Sequence, residues 1–242
     1  MQISEIFYSI QGEGKLAGVP SVFVRVSGCN LRCVWCDTPY ASWNAEGSEM
    51  SVAQVVTEVL KYRASHVVLT GGEPMIFKEI ALLIRELKKA DLHITVETAG
   101  TLWLDEIPAG GIDLASISPK LSNSMPRLLA PGSAKGSIEE QNHERQRINI
   151  GVLKQFATNI STIKARQWKF VISQEQDIVE MEALLAQLNA GISKSDVLLM
   201  PEGTDVATLA QRGRWLAEIC KHRGYRFCPR LHVELYGNKR GT

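Results

Sequence analysis

The sequence has almost no net charge. Its 27 lysines and arginines face 26 aspartates and glutamates, a formal +1 at pH 7. No basic stripe or acidic tail stands out, which removes the electrostatic footprint of a nucleic-acid binder and leaves a small molecule as the expected partner. No apolar run approaches the roughly 20 residues of a membrane-spanning helix, so no membrane role is expected. The first residues, MQISEIFYSIQGEG, lack the charged-then-apolar order of a secretory signal. A cytosolic setting is therefore expected. Internal repeats and low-complexity tracts are missing, which excludes solenoids and disordered linkers. Cysteine is scarce, five in 242 residues. That is too few for a disulfide scaffold, and cytosolic thiols stay reduced.

What is present alternates. The chain is 45% hydrophobic, enough for one sizeable core and one domain over 1–242. VFVRV (22–26), HVVLT (66–70), ITVET (94–98), LASIS (114–118), WKFVIS (168–173), VLLMP (197–201) and RFCPRLH (226–232) read as strands. Helices are expected over 51–63, 76–89, 175–189 and 205–222. The first opens with Ser51 and carries Gln54, the pattern of a capping box. Strand–helix alternation implies right-handed βαβ units and a parallel sheet. The expected class is α/β, a modified, incomplete parallel barrel. Residues 131–147 are polar and aperiodic, and 131–166 reads as a surface insertion.

Three of the five cysteines, Cys29, Cys33 and Cys36, fall within eight positions as C-x3-C-x2-C. A structural zinc site normally uses four ligands, often as two C-x2-C pairs, and no second pair exists. Cys220 and Cys228 stand alone in apolar patterns and read as core residues. A disulfide would strand one of the three. A [4Fe–4S] cluster takes a thiolate on each iron, so three thiolates leave one iron open to bind something else. The triplet directly follows VFVRV, at the carboxyl end of a strand, where α/β folds carry their chemistry. Gly28 eases the turn there.

The spacing, with Trp35 before the last cysteine, resembles the signature of the radical S-adenosylmethionine (SAM) superfamily. The resemblance implies a [4Fe–4S] cluster whose open iron chelates SAM, with Trp35, Cys36 and Asp37 beside the cofactor. VVLTGGEP then resembles the superfamily's SAM-amino-group motif. Gly71 and Gly72 would let the backbone approach the ligand, Pro74 would fix the exit, and Glu73 would accept from the ammonium or stabilise the turn. ISPK supplies Ser118 and Lys120, expected near the SAM carboxylate and ribose. Glu97, Thr98, Ser173 and Gln174 lie at further strand ends as weaker candidates.

The stretch EIFYSIQGEGKLAGVPSVFVRVSGCNLRCVWCDT resembles the 7-carboxy-7-deazaguanine synthase family, and the likeness runs through TGGEP, SPK and KFVIS to PRLHVELYGNKRG. It implies conversion of 6-carboxy-5,6,7,8-tetrahydropterin to 7-carboxy-7-deazaguanine with loss of ammonia, assisted by Mg2+, in a homodimer reduced by a donor such as flavodoxin or ferredoxin. Arg25 breaks an apolar strand and, pointing inward, would grip the substrate carboxylate with its planar fork. Its alternative is an internal ion pair. Ile10, Gln11, Gly12 and Glu13 would read the pterin edge, with Thr70 and His232 nearby. Thr38 would give Mg2+ a neutral oxygen, the substrate and water supplying the rest. In some relatives the C-terminal carboxylate reaches the active site. Here the tail runs past His232, so Thr242 receives no such role, and Tyr236 and Asn238 are the substitutes. A glycyl-radical-enzyme activase is the alternative reading, and a non-enzymatic iron–sulfur or zinc module a further one. IQGEG and an inward Arg25 favour a small anionic substrate.

Overall fold

The computed structural model describes residues 1–126 and 138–242. Among these residues nine strands form one sheet: β1 (Gln2–Ile10), β2 (Pro20–Val26), β3 (Ser48–Glu49), β4 (His66–Gly71), β5 (His93–Thr98), β6 (Ile112–Ile117), β7 (Ile163–Ile172), β8 (Val197–Pro201) and β9 (Arg226–Phe227). The helices are α1 (Val52–Leu60), α2 (Glu79–Lys89), α3 (Ile138–Gln146), α4 (Ile150–Thr158), α5 (Glu175–Leu188), α6 (Val206–Arg223) and α7 (Leu231–Tyr236). The strand order is β3-β1-β2-β4-β5-β6-β7-β8-β9. From β2 onward every neighbour in that order is parallel, while β1 runs antiparallel to both β2 and β3. β3 and β9 remain edges, so the barrel is incomplete, as expected.

The core lies between the parallel strands and the helices that cross back over them. Val22, Val24 and Val26 of β2 are wholly buried, together with Val55 and Val59 of α1 and Ile80, Leu83, Ile84 and Leu87 of α2. The capping box is formed: Ser51 Oγ accepts from Gln54 N–H at 3.3 Å and Gln54 Oε1 accepts from Ser51 N–H at 2.8 Å. Such a cap is worth about 1 kcal/mol.

The structure departs from the sequence reading in three places. β1 was not expected, because its residues are mostly half-buried and show neither clean alternation nor a continuous apolar run. The expected strand 226–232 is a strand only at Arg226–Phe227. Cys228 N–H still bonds Leu199 O at 2.9 Å, but Pro229 brings no N–H, and the chain turns into α7. His232 is therefore a helix residue. Finally, residues 138–166 of the expected insertion are not loop. They form α3, α4 and the first residues of β7, whereas 131–137 lie outside the described residues. α3 escaped detection because the side chain that it buries is His143 rather than an apolar stripe.

Candidate active site

After β2 the chain forms the cysteine loop. Cys29, Cys33 and Cys36 line one wall of a cavity of about 500 Å3 at the carboxyl ends of the parallel strands. They pack with Leu31, Ala99 and Trp35. Leu31 N–H donates to Cys29 Sγ at 3.3 Å, and Cys36 Sγ lies 3.1 Å from Ser42 Oγ and 3.8 Å from Thr38 Oγ1. Burial pushes the Cys29 thiol up to about 11 and the Cys33 thiol up to about 12. Among the described residues no three His, Cys, Asp or Glu side chains converge closely enough to hold a single ion. Three thiols at one cavity are the number that a [4Fe–4S] cluster with one open iron takes, one thiolate per remaining iron.

The GGEP turn sits against this loop. A Cβ on Gly71 would fall 2.3 Å from Val26 O, and one on Gly72 would fall 2.0 Å from Gly28 O and 2.5 Å from Ala41 O. Both glycines are thus required by the neighbouring backbone. Gly72 lines the cavity; Glu73 does not. The Glu73 carboxylate is fully buried and accepts from Met75 N–H (3.0 Å), Thr98 Oγ1–H (2.8 Å) and Ala99 N–H (2.8 Å). Burial raises its pKa against those three donors. It fastens the turn to the end of β5. Ser118 and Lys120 face the cavity, with Lys120 Nζ 2.9 Å from Ser118 Oγ and 5.4 Å from the Trp35 ring centroid. Ser173 and Gln174 are not brought to the cavity wall. The Ser173 N–H and hydroxyl donate to buried Asp177 at 2.7 and 2.8 Å, and the Gln174 N–H at 3.1 Å, so they cap α5.

Much of the remaining lining is charged or polar. Ile10, Gln11, Gly12, Glu13, Arg25, Thr70, Asp37, Thr38 and His232 all border the cavity. Glu13 pairs with Lys169 and, at 3.0 Å, with Arg230, which also pairs with Asp37. These cations hold the Glu13 carboxyl well below the usual carboxylate range despite its burial. Lys169 and Arg230 were missed in the sequence. The signal was available for Lys169: it breaks an apolar strand just as Arg25 does. Gln11 Nε2 and Thr70 Oγ1 donate to Glu97 at 3.0 and 2.8 Å. Arg25 donates from Nε to Glu5 at 2.7 Å, so the internal ion pair exists while the side chain still borders the cavity. A Cβ on Gly12 would fall 1.9 Å from His232 Nδ1, so glycine is what leaves room for the His232 side chain there. Burial pulls the His232 pKa down. The tail returns to the cavity. Asn238, Lys239, Arg240 and Thr242 border it and Tyr236 does not. Arg240 lies 4.4 Å over the Tyr40 ring and bonds Glu46 at 3.1 Å.

A 7-carboxy-7-deazaguanine synthase of Halobacterium salinarum is 45% identical over 244 aligned positions, covering 98% of this chain and 91% of the relative. The chain belongs to the 7-carboxy-7-deazaguanine synthase family. A second member of the family, from Rhodopirellula baltica, is 43% identical over 99% of this chain and 88% of its own. The Radical SAM superfamily model matches residues 23–140, a span that includes the cysteine triplet, the GGEP turn and Lys120. Membership implies a [4Fe–4S] cluster and SAM, and the thiol wall fits the cluster. The crystal structure of QueE from Escherichia coli shares the fold, with a TM-score of 0.63 at 24% identity over 94% of this chain and 92% of that one.

Proposed function

We propose that this protein is a radical SAM carbon–nitrogen lyase that converts 6-carboxy-5,6,7,8-tetrahydropterin to 7-carboxy-7-deazaguanine, with loss of ammonia, in 7-deazapurine (queuosine precursor) biosynthesis. One observation carries the reading beyond likeness: a single cavity sets three thiols against an arginine and a polar β1–β2 loop. Cys29, Cys33 and Cys36 would hold the cluster, which with SAM supplies the radical that takes a hydrogen atom from C6 of the pterin and returns it.

The chain's own residues bind and aim. Ser118 and Lys120 are suited to the carboxylate and ribose of SAM, with Trp35, Asp37 and the Gly72 backbone around it. Glu73 acts through the turn that it fastens, and Ser173 and Gln174 through Asp177. Glu5 occupies Arg25 Nε, which leaves the terminal nitrogens to take the pterin carboxylate as a planar fork. The Ile10, Gln11 and Gly12 backbone, ionised Glu13, Thr70 and His232 frame the ring. Thr38 would contribute one oxygen to Mg2+, whose other positions go to water and substrate. We further propose a cytoplasmic homodimer of one domain per chain, reduced by flavodoxin or ferredoxin. Among the described residues no helix is long and apolar enough to cross a membrane. The test is anaerobic incubation of reconstituted, reduced protein with SAM, Mg2+ and carboxytetrahydropterin. The deazaguanine should appear by mass together with ammonia; SAM cleavage with no deazaguanine would overturn the substrate assignment.

A further inference from the structure

α3 reaches the cysteine loop through a buried histidine that the proposed chemistry does not use. His143 is 1% exposed. Its Nδ1 accepts the backbone N–H of Arg32 at 3.0 Å. A ring nitrogen that accepts carries no proton, so the neutral ring bears its hydrogen on Nε2, 2.9 Å from Ser124 Oγ. That hydroxyl donates onward to Leu121 O at 2.6 Å. The relay is thus satisfied end to end, and it ties α3 to the segment that follows Lys120. One turn further along α3, Gln146 Oε1 accepts from Asn30 Nδ2 at 3.3 Å. Asn30 and Arg32 both lie between Cys29 and Cys33, so α3 holds the span between two thiols at two points.

We propose that His143 is a positioning residue for the iron–sulfur cluster: it fixes the backbone between Cys29 and Cys33 and keeps the Arg32 amide away from the cluster's sulfurs. The inference rests on the reading that these cysteines hold a cluster. A buried N–H that loses its acceptor must find another, and Cys29 Sγ, which already accepts from the neighbouring Leu31 N–H at 3.3 Å, is one acceptor in the same loop. Hydrogen bonds to cluster sulfurs are among the factors that set its potential, because they favour the more negative, reduced form.

Two variants separate the roles of the two ring nitrogens. His143→Asn keeps an oxygen close to the place of Nδ1. His143→Gln puts an amide N–H near the place of Nε2 and leaves Arg32 without its acceptor. Each full-length chain is reconstituted anaerobically. Iron loss to a chelator, the midpoint potential of the cluster by EPR-monitored titration, and the thermal midpoint of the apo chain are then measured. The glutamine variant should lose iron about tenfold faster, as expected for one lost hydrogen bond, and its potential should move upward. The asparagine variant should stay within about twofold of the parent at an unchanged potential. The proposal is overturned if the two variants behave alike, if glutamine leaves iron retention and potential at parental values, or if both merely lower the apo midpoint equally. A parent that takes up no iron would sink the cluster reading itself, an outcome distinct from a loaded parent whose variants do not differ.

Discussion

The two walls of the cavity are built by different means. The proposed cofactor wall, around the cysteine loop, is made largely of backbone. Gly71 and Gly72 pack against Val26 and Gly28 at distances that no side chain tolerates, and Glu73 spends its carboxylate on three neutral donors. The proposed substrate wall, with the charges that adjoin it, is made of charge. Glu13, Asp37, Lys169 and Arg230 come from four distant parts of the chain and neutralise one another where water is scarce. A backbone-built wall holds its shape in the apo chain and tolerates changes in nearby side chains. A charge-built wall depends on every partner, because a buried ion left alone costs several kcal/mol.

The largest effect should come from the ligands of the first wall. Serine at Cys29, Cys33 or Cys36 should abolish cluster-dependent SAM cleavage and leave the chain folded, while Cys220→Ser and Cys228→Ser keep their iron. Iron content and release of 5′-deoxyadenosine check this. The comparison breaks if a cysteine outside the loop proves essential and one inside it does not.

Lys169→Met attacks the second wall. It should cost about 3 kcal/mol of stability at pH 7, the scale for removing one partner of a buried ion pair. Glu13 stays ionised in the folded chain well below its ordinary pKa of 4.5. Its stabilisation is therefore complete above that pH and is lost as pH falls, since the unfolded chain takes up the proton first. The variant should accordingly show a flatter decline in stability between about pH 5 and pH 3 than the parent. Urea unfolding across that range decides it, and parallel declines would mean that Lys169 does not govern Glu13.

Arg25→Lys keeps the charge and loses the fork. Pterin turnover should fall by about one to two orders of magnitude, with SAM cleavage in the absence of pterin retained. Equal loss of both would give Arg25 a purely structural role beside Glu5. The smallest effect is expected from Thr38→Val. Cluster and SAM binding should persist while any activation of turnover by added Mg2+ largely disappears. An unchanged magnesium response would place the metal elsewhere.

The same contrast explains what could be read in the sequence. The cofactor wall is local, so its cysteines and its two glycines stand in short contiguous strings, and the parallel strands behind them announce themselves as apolar runs. Even there the reason given for the glycines was incomplete, because their tightest neighbour is backbone that only the fold brings near. The substrate wall was half legible. Arg25 drew notice as a charge in an apolar strand, whereas Lys169, in the same situation and the first residue of KFVIS, was given no role, because its partner Glu13 lies 156 positions away in the chain. Arg230 and His232 were placed on a strand that Pro229 interrupts. α3 was invisible because it buries a hydrogen-bonding ring, and hydrophobic periodicity carries no trace of that.

The raised thiols of the cysteine loop have a consequence for how the protein is loaded. With burial holding Cys29 and Cys33 at about 11 and about 12, both are protonated in the apo chain at neutral pH. Iron binds thiolate, so installing the cluster must expel those protons, and maturation becomes an acid-releasing event whose yield improves in mildly alkaline buffer.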